Sequence, residues 1–299
     1  MKRPASLVLA FIIALCAIAA FPTVAISLQG TPPIKAEVRL VELCATVLDR
    51  HGKYLDGLKQ GDFEIRDNGE ICPVAFFEPV ASGFFCAILM DRTESTEADL
   101  PIMKRSILRF IDEFRECDLV AVYDFNDTLR KVQEFTREKT IAKAAVLRTI
   151  PSGSTALYDS ISQVALELSR RPGKKAIVAF TDGDDNSSLL PPTVVARQAK
   201  NLGIPVYFAA QGSALDQPSL MSALREMSRA TAGETYAVKK ASEVDRIFES
   251  ISLDLQHSYL LAYSPPPAID SRWRTIQLTV KGYTKVRVRT REGYYPIDK

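Results

Sequence analysis

Asp91, Thr93 and Ser95 alternate along one short stretch, Asp91-Arg92-Thr93-Glu94-Ser95. In an extended loop every second side chain points the same way, so the three oxygens would be aimed to one side. A carboxylate and two hydroxyls, without histidine or thiol, make a hard donor set suited to Mg²⁺, Mn²⁺ or Ca²⁺. The rest of the composition argues against other chemistries. The two histidines, His51 and His257, lie far apart in sequence, so neither a histidine zinc site nor a histidine-based triad is expected. The chain has no Gly-x-Ser-x-Gly, no phosphate-binding glycine loop and no CxxC pair. A formal net charge of +2 gives no general pull toward nucleic acid.

The element that must position this stretch is the run before it. Phe84 to Met90 is seven apolar residues without interruption, the pattern of a strand buried on both faces of a parallel sheet. A helix pattern follows from Ala98 to Glu116, which puts the loop at the C-terminal end of the strand. Open α/β sheets bind ligands there, at the topological switch point. Downstream, strand and helix alternate. Strands are expected over 118–125, 175–180 and 204–210, with a short one over 234–238. Helices are expected over 138–148, 191–202, 220–230 and 241–257, with another from 156 to about 171. The polar stretch 129–135 follows a short turn at Asn126-Asp127 and suits an antiparallel edge strand.

These pieces together resemble the metal-ion-dependent adhesion site of von Willebrand factor type A domains. That family uses Asp-x-Ser-x-Ser, with a Thr and an Asp from two later loops. Here the first triplet is Asp91-x-Thr93-x-Ser95, and Thr93 keeps the hydroxyl. The later Thr matches Thr155 in Gly153-Ser154-Thr155-Ala156-Leu157-Tyr158-Asp159. The later Asp matches Asp182 in Ala179-Phe180-Thr181-Asp182-Gly183. The resemblance implies a doubly wound, mostly parallel α/β sheet over 82–257. It also implies a divalent cation held by Asp91, Thr93, Ser95, Thr155 and Asp182. The function implied is a metal-dependent protein-binding module, not an enzyme, whose cation is completed by a partner's Asp or Glu.

From the residues alone, Thr155 also reads as an N-cap, Asp159 as a structural residue at a helix start, and Asp184 to Asn186 as a solvated loop. Two other functions fit the same residues. One is a structural envelope scaffold with a vestigial metal site. The other is a metal-assisted hydrolase, in which Glu94, Glu97 or Asp184 would serve as the base.

The N-terminus reads as an export signal over 1–25, with Lys2 and Arg3 before an apolar run from Leu7 to Ala20 and cleavage after Ala25 or Ala19. An uncleaved anchor is the alternative. A periplasmic, envelope or extracellular location follows, with no membrane span after cleavage. Residues 26–35 are a linker. The flanks 36–81 and 258–299 read as β-rich. Neither alone has enough strands for a core, so the two are expected to build one small β-sandwich-like domain with the A-type domain inserted between them. Integrin β chains are similar in this insertion. Asp67-Asn68-Gly69 is a hairpin turn, with 72–77 as the returning strand. Cys44 and Cys72 fall in the same predicted domain of an exported chain and are the expected disulfide. Arg287, Arg289 and Arg291 would line the solvated face of a half-buried strand.

The flanking pattern Asp49-x-x-Gly52, Gly57-Leu58, Asp62-Phe63, Asp67-x-Gly69, with the ending Arg291-Glu292-Gly293-Tyr294-Tyr295, resembles bacterial exported von Willebrand factor A-related proteins of the acidobacterial type.

Overall fold

The computed structural model describes residues 40–239, 244–267 and 270–296. The expected signal and linker lie outside the described residues, as do 36–39 and the first turn of the expected last helix. No helix among the described residues is long and apolar enough to cross a membrane.

A six-stranded sheet carries the site. Its strands are β5 (Phe84–Asp91), β6 (Leu119–Phe125), β7 (Leu129–Thr136), β8 (Lys174–Thr181), β9 (Val206–Ala210) and β10 (Thr235–Ala237). The order is β10-β9-β8-β5-β6-β7, parallel throughout except for the antiparallel edge β7. Alternation along each central strand feeds two separate cores. Cys86, Ile88 and Met90 of β5, Val120 and Val122 of β6, and Val178 and Phe180 of β8 face one way. They pack under α1 (Leu100–Asp112), α2 (Lys139–Leu147) and α7 (Val244–Gln256). Ala87, Leu89, Ala121, Tyr123, Ile177 and Ala179 face the other way, under α3 (Leu157–Leu168), α4 (Pro192–Asn201) and α6 (Pro218–Ala230). Helix α1 shows why such a segment docks. Leu100, Met103, Ile107, Phe110 and Ile111 recur at helical spacing and are all buried. A four-residue helix, α5 (Ser213–Asp216), follows β9 and has no signal in the apolar pattern.

From β5 the chain moves to β6 and β7 on one side, then returns to β8 on the other. The switch point therefore lies between β5 and β8, and their C-terminal ends carry Asp91 and Thr181.

Eight further strands among the described residues form two four-stranded sheets, with neighbours antiparallel. One has the order β13-β1-β11-β4, from Arg287–Arg289, Val41–Leu48, Ser258–Tyr263 and Val74–Glu78. The other has the order β14-β12-β2-β3, from Gly293–Tyr294, Arg274–Val280, Phe63–Asp67 and Glu70–Cys72. Each sheet takes strands from both flanks. Leu43, Val47, Phe63, Ile65, Tyr259, Leu261 and Tyr263 meet in the core between them. The turn between β2 and β3 has positive φ at Asn68 and Gly69, as a two-residue hairpin loop requires.

Three sequence expectations are corrected here. The returning strand 72–77 is broken at Pro73, which cannot donate to a ladder. β3 stays with β2, and β4 crosses to the other sheet to pair with β11. Cys44 and Cys72 are both free. Cys72 points into the sandwich core, but Cys44 alternates with the core residues Leu43 and Ala45 and so faces away from it. Arg289 and Arg291 are not on a solvated face. Arg289 pairs with Asp254 and Glu234. Arg291 is buried and donates to Lys200 O (2.6 Å) and Asn201 O (2.9 Å), the last carbonyls of α4.

One ammonium spans the place where the chain enters and leaves the six-stranded unit. Lys174 Nζ donates to Val80 O (3.0 Å) and Pro79 O (3.4 Å) on the way in, and to Ser258 O (3.2 Å) on the way out. Burial lowers its pKa.

Candidate metal centre

Asp91 ends β5 fully buried. Its Oδ1 accepts from Thr93 N (3.1 Å) and Thr93 Oγ1 (2.7 Å), and its Oδ2 accepts from Thr181 Oγ1 (2.8 Å). Thr93 is buried too, and its hydroxyl lies 3.0 Å from that of Ser95, which is exposed. After Thr93 the chain makes a 3-10 turn over Glu94–Thr96, not the start of a long helix. Thr96 Oγ1 donates to Thr93 O (2.9 Å) and fixes that turn.

Asp182 follows Thr181 and is buried. Its Oδ1 accepts from Asp184 N (3.1 Å), while Oδ2 is buried with no hydrogen-bond partner among the described residues. Burial pushes the Asp182 carboxyl up, and the nearby Ser95 hydroxyl opposes part of that rise. Gly212, at φ +52°, lets the loop after β9 close over this corner. A Cβ there would sit 2.7 Å from Asp99 Oδ2 and 3.2 Å from Asp182 Cβ.

Thr155 is buried, and its loop is locked to the other two. Ser152 N donates to Arg92 O (2.7 Å) and Glu94 N to Gly153 O (3.3 Å). Thr155 N donates to Asn186 Oδ1 (3.0 Å), and Thr155 O accepts from Asn186 N (3.1 Å) and Ser187 N (2.9 Å). Thr155 therefore enters through its backbone: no hydrogen bond joins its hydroxyl to the other four site residues.

Thr155 is not the N-cap of α3; Ala156 is, without a side-chain bond. The loop after β8 caps the helix instead. Asp185 Oδ2 accepts from Tyr158 N (3.1 Å) and Ser188 Oγ from Asp159 N (3.1 Å). Asp159 in turn accepts from Leu189 N and Leu190 N. Asp185 and Asn186 thus hold the loops together and are not simply solvated.

The electrostatics are those of a site short of positive charge. Burial pushes the Asp91 carboxyl up to about 7, with the nearby Asp182 charge adding to the shift against the hydrogen bonds from Thr93 and Thr181. Burial raises Asp182 as well, with Asp184 and Asp99 adding to it. Neither forms an ion pair among the described residues. The adjacent cation, Arg92, is turned to the buried Asp124 (3.3 Å), which Arg130 also holds (2.6 Å). Two buried carboxylates without a counterion and an orphaned Oδ2, beside two hydroxyls, fit a hard divalent cation.

Thr181, Asp124 and Asp99 adjoin the site without belonging to the five-residue motif. Asp124 does carry a signal, since it interrupts an otherwise apolar strand. The hydroxyl of Thr181 looks like any other strand end.

The family model for the von Willebrand factor type A domain matches residues 87–250. The chain belongs to this family. The match begins within β5 and ends within α7, so it contains all three loops of the A-type site. No curated protein matches the chain. Among solved structures, BatB from Bacteroides thetaiotaomicron is similar at 20% identity and TM-score 0.50, covering 57% of this chain and 98% of that one. A von Willebrand factor type A protein from Catenulispora acidiphila is similar at 14% identity and TM-score 0.51, covering 85% and 73%. Proximal thread matrix protein 1 from the mussel byssus, described with a zinc-occupied MIDAS motif, is similar at 20% identity and TM-score 0.51, covering 62% and 48%. At these identities the likeness is one of fold.

Proposed function

We propose that the protein is an exported, metal-ion-dependent protein-binding module. Asp91 and Asp182 supply the charge for one divalent cation, and Thr93, Ser95 and Thr155 supply neutral oxygens. Mg²⁺ is the first choice for this donor set, with Mn²⁺ or Ca²⁺ as substitutes. When bound, the cation supplies an electrophilic position that a partner's Asp or Glu fills. Family membership supports a protein-interaction role. The observation that carries the metal reading is the pair of buried carboxylates with no cationic partner and the unpartnered Oδ2 of Asp182. Export rests on the N-terminal sequence, Lys2 and Arg3 followed by Leu7 to Ala20. The flanking pattern shared with acidobacterial-type A-related proteins agrees with it.

An enzymatic reading receives no support from the raised carboxyls. They belong to Asp91 and Asp182, which are buried and would be ligands, not bases with access to water.

The test is capture of partners from envelope extract on the immobilised protein, with Mg²⁺ or with chelator. A protein retained only with Mg²⁺, and lost on Asp182→Ala, supports the reading. The same partner retained under chelation and by Asp182→Ala would refute it and favour a scaffold with a vestigial site.

A further inference from the structure

Along the length of α4, the A-type unit and the β-sandwich together line a second feature. It is a cleft of about 490 Å³ between α4 and α6, walled by the loops before β12 and after β14. That size is in the range of ligand sites. The chain's one tryptophan, Trp273, lines it. Trp273 and Tyr295 meet edge to face at 5.1 Å. Tyr295 N donates to Asn201 Oδ1 (3.0 Å), which fixes the phenol-bearing loop on the end of α4. Met227 contributes to the apolar floor.

Two cations stand at this aromatic wall. Lys200 Nζ is 4.0 Å from the indole centroid, and the Arg197 guanidinium is 6.0 Å from the Tyr295 ring. Among the described residues, neither has a carboxylate within ion-pair distance. Glu226 is the lining's own carboxylate, so the lining carries two positive groups against one negative. Lys200 is held there at a cost, since burial and the neighbouring Arg291 depress its pKa while Glu292 opposes them. A fully apolar ligand would leave the two cations unmatched. From Pro192 to Lys200 the helix rises about 12 Å, roughly the reach of three or four extended residues.

We propose that this cleft is a second binding site, for an acidic peptide segment that places an aromatic or aliphatic side chain on Trp273 and Tyr295 and its carboxylates on Arg197 and Lys200. It is separate from the candidate metal centre and needs no cation.

Trp273 is its own reporter. The test titrates the full chain with acetyl-Glu-Phe-Glu-amide, and with acetyl-Gln-Phe-Gln-amide as the uncharged control, following tryptophan emission. The acidic peptide should give a saturable change below millimolar concentration, weakened by salt. Each of Arg197→Gln and Lys200→Gln should weaken binding about fivefold, the contribution of one partly exposed ion pair, and the uncharged control should bind about 25-fold more weakly, having lost both pairs. Arg197 is exposed and Lys200 is half-buried, and glutamine keeps most of either side chain's stem, so the fold should be retained. Asp182→Ala and chelation should leave the titration unchanged. Equal responses to the two peptides, no saturable change with the acidic one, or undiminished binding by both variants would overturn the proposal.

Discussion

Thr181 donates its hydroxyl to Asp91 Oδ2 at 2.8 Å, tying the ends of two neighbouring parallel strands at the switch point of the sheet. The bond holds one carboxylate oxygen of Asp91 in place and sets where Asp182, the next residue, begins. Thr181→Val keeps the shape and removes the donor, leaving Asp91 Oδ2 without it in a buried site. The metal-free protein should lose about 1–3 kcal/mol of stability. Urea unfolding without metal measures this, and Mg²⁺ should recover part of the loss.

The pH dependence has a definite sign. Burial raises the Asp91 pKa from 3.8 to about 7. The stability contributed by its protonated form is fully present below 3.8 and is lost as pH rises through about 7. In the metal-free protein this group therefore lowers the melting temperature between about pH 5 and pH 8, and a cation that replaces the proton should restore it. Thermal melts should show a larger rise on adding Mg²⁺ at about pH 8 than at about pH 5. An equal rise at both would contradict the Asp91 assignment.

Arg291 joins the sandwich to the A-type unit by capping α4 from outside. Arg291→Met should cost about 1–3 kcal/mol, because two partly buried carbonyls lose charge-assisted partners while the desolvation of a buried guanidinium is relieved. Metal affinity should stay within twofold or so, since the end of α4 is far from the Asp182 loop. Chemical denaturation and a metal titration on the same variant separate the two effects.

Much of the sheet is readable in the sequence because its strands are buried on both faces. Phe84 to Met90 has no polar residue to confuse the pattern, and the same holds for the core of β8. The hydroxyl and carboxyl spacing of the Asp91 loop is equally local. Packing between distant segments is not readable in this way. Arg289 and Arg291 look like a solvated stripe, yet residues more than thirty positions away bury them. The alternation around Cys44 is visible, but which face meets the other sheet depends on β11, which is about two hundred residues later. Thr155 shows both sides. Its place before a helix is local, while its backbone bonds to Asn186 depend on how two loops meet.

The cysteines offer a separate check. Cys44, Cys72, Cys86 and Cys117 are all free among the described residues. Thiol titration under denaturant should therefore return all four, and Cys16 as well if the N-terminal segment is retained. A count two lower would mean that a bridge forms, contrary to the opposed faces of Cys44 and Cys72.

The central claim is that Asp182 is one of two buried carboxylates holding a divalent cation. Calorimetric titration of the metal-free protein with Mn²⁺, beside Asp182→Ala, tests it most directly. One site per chain is predicted for the native sequence, and no measurable site for Asp182→Ala, with the thermal melt of the metal-free variant no lower than that of the metal-free native chain. Binding of equal strength in both proteins, or none in either, would contradict the account.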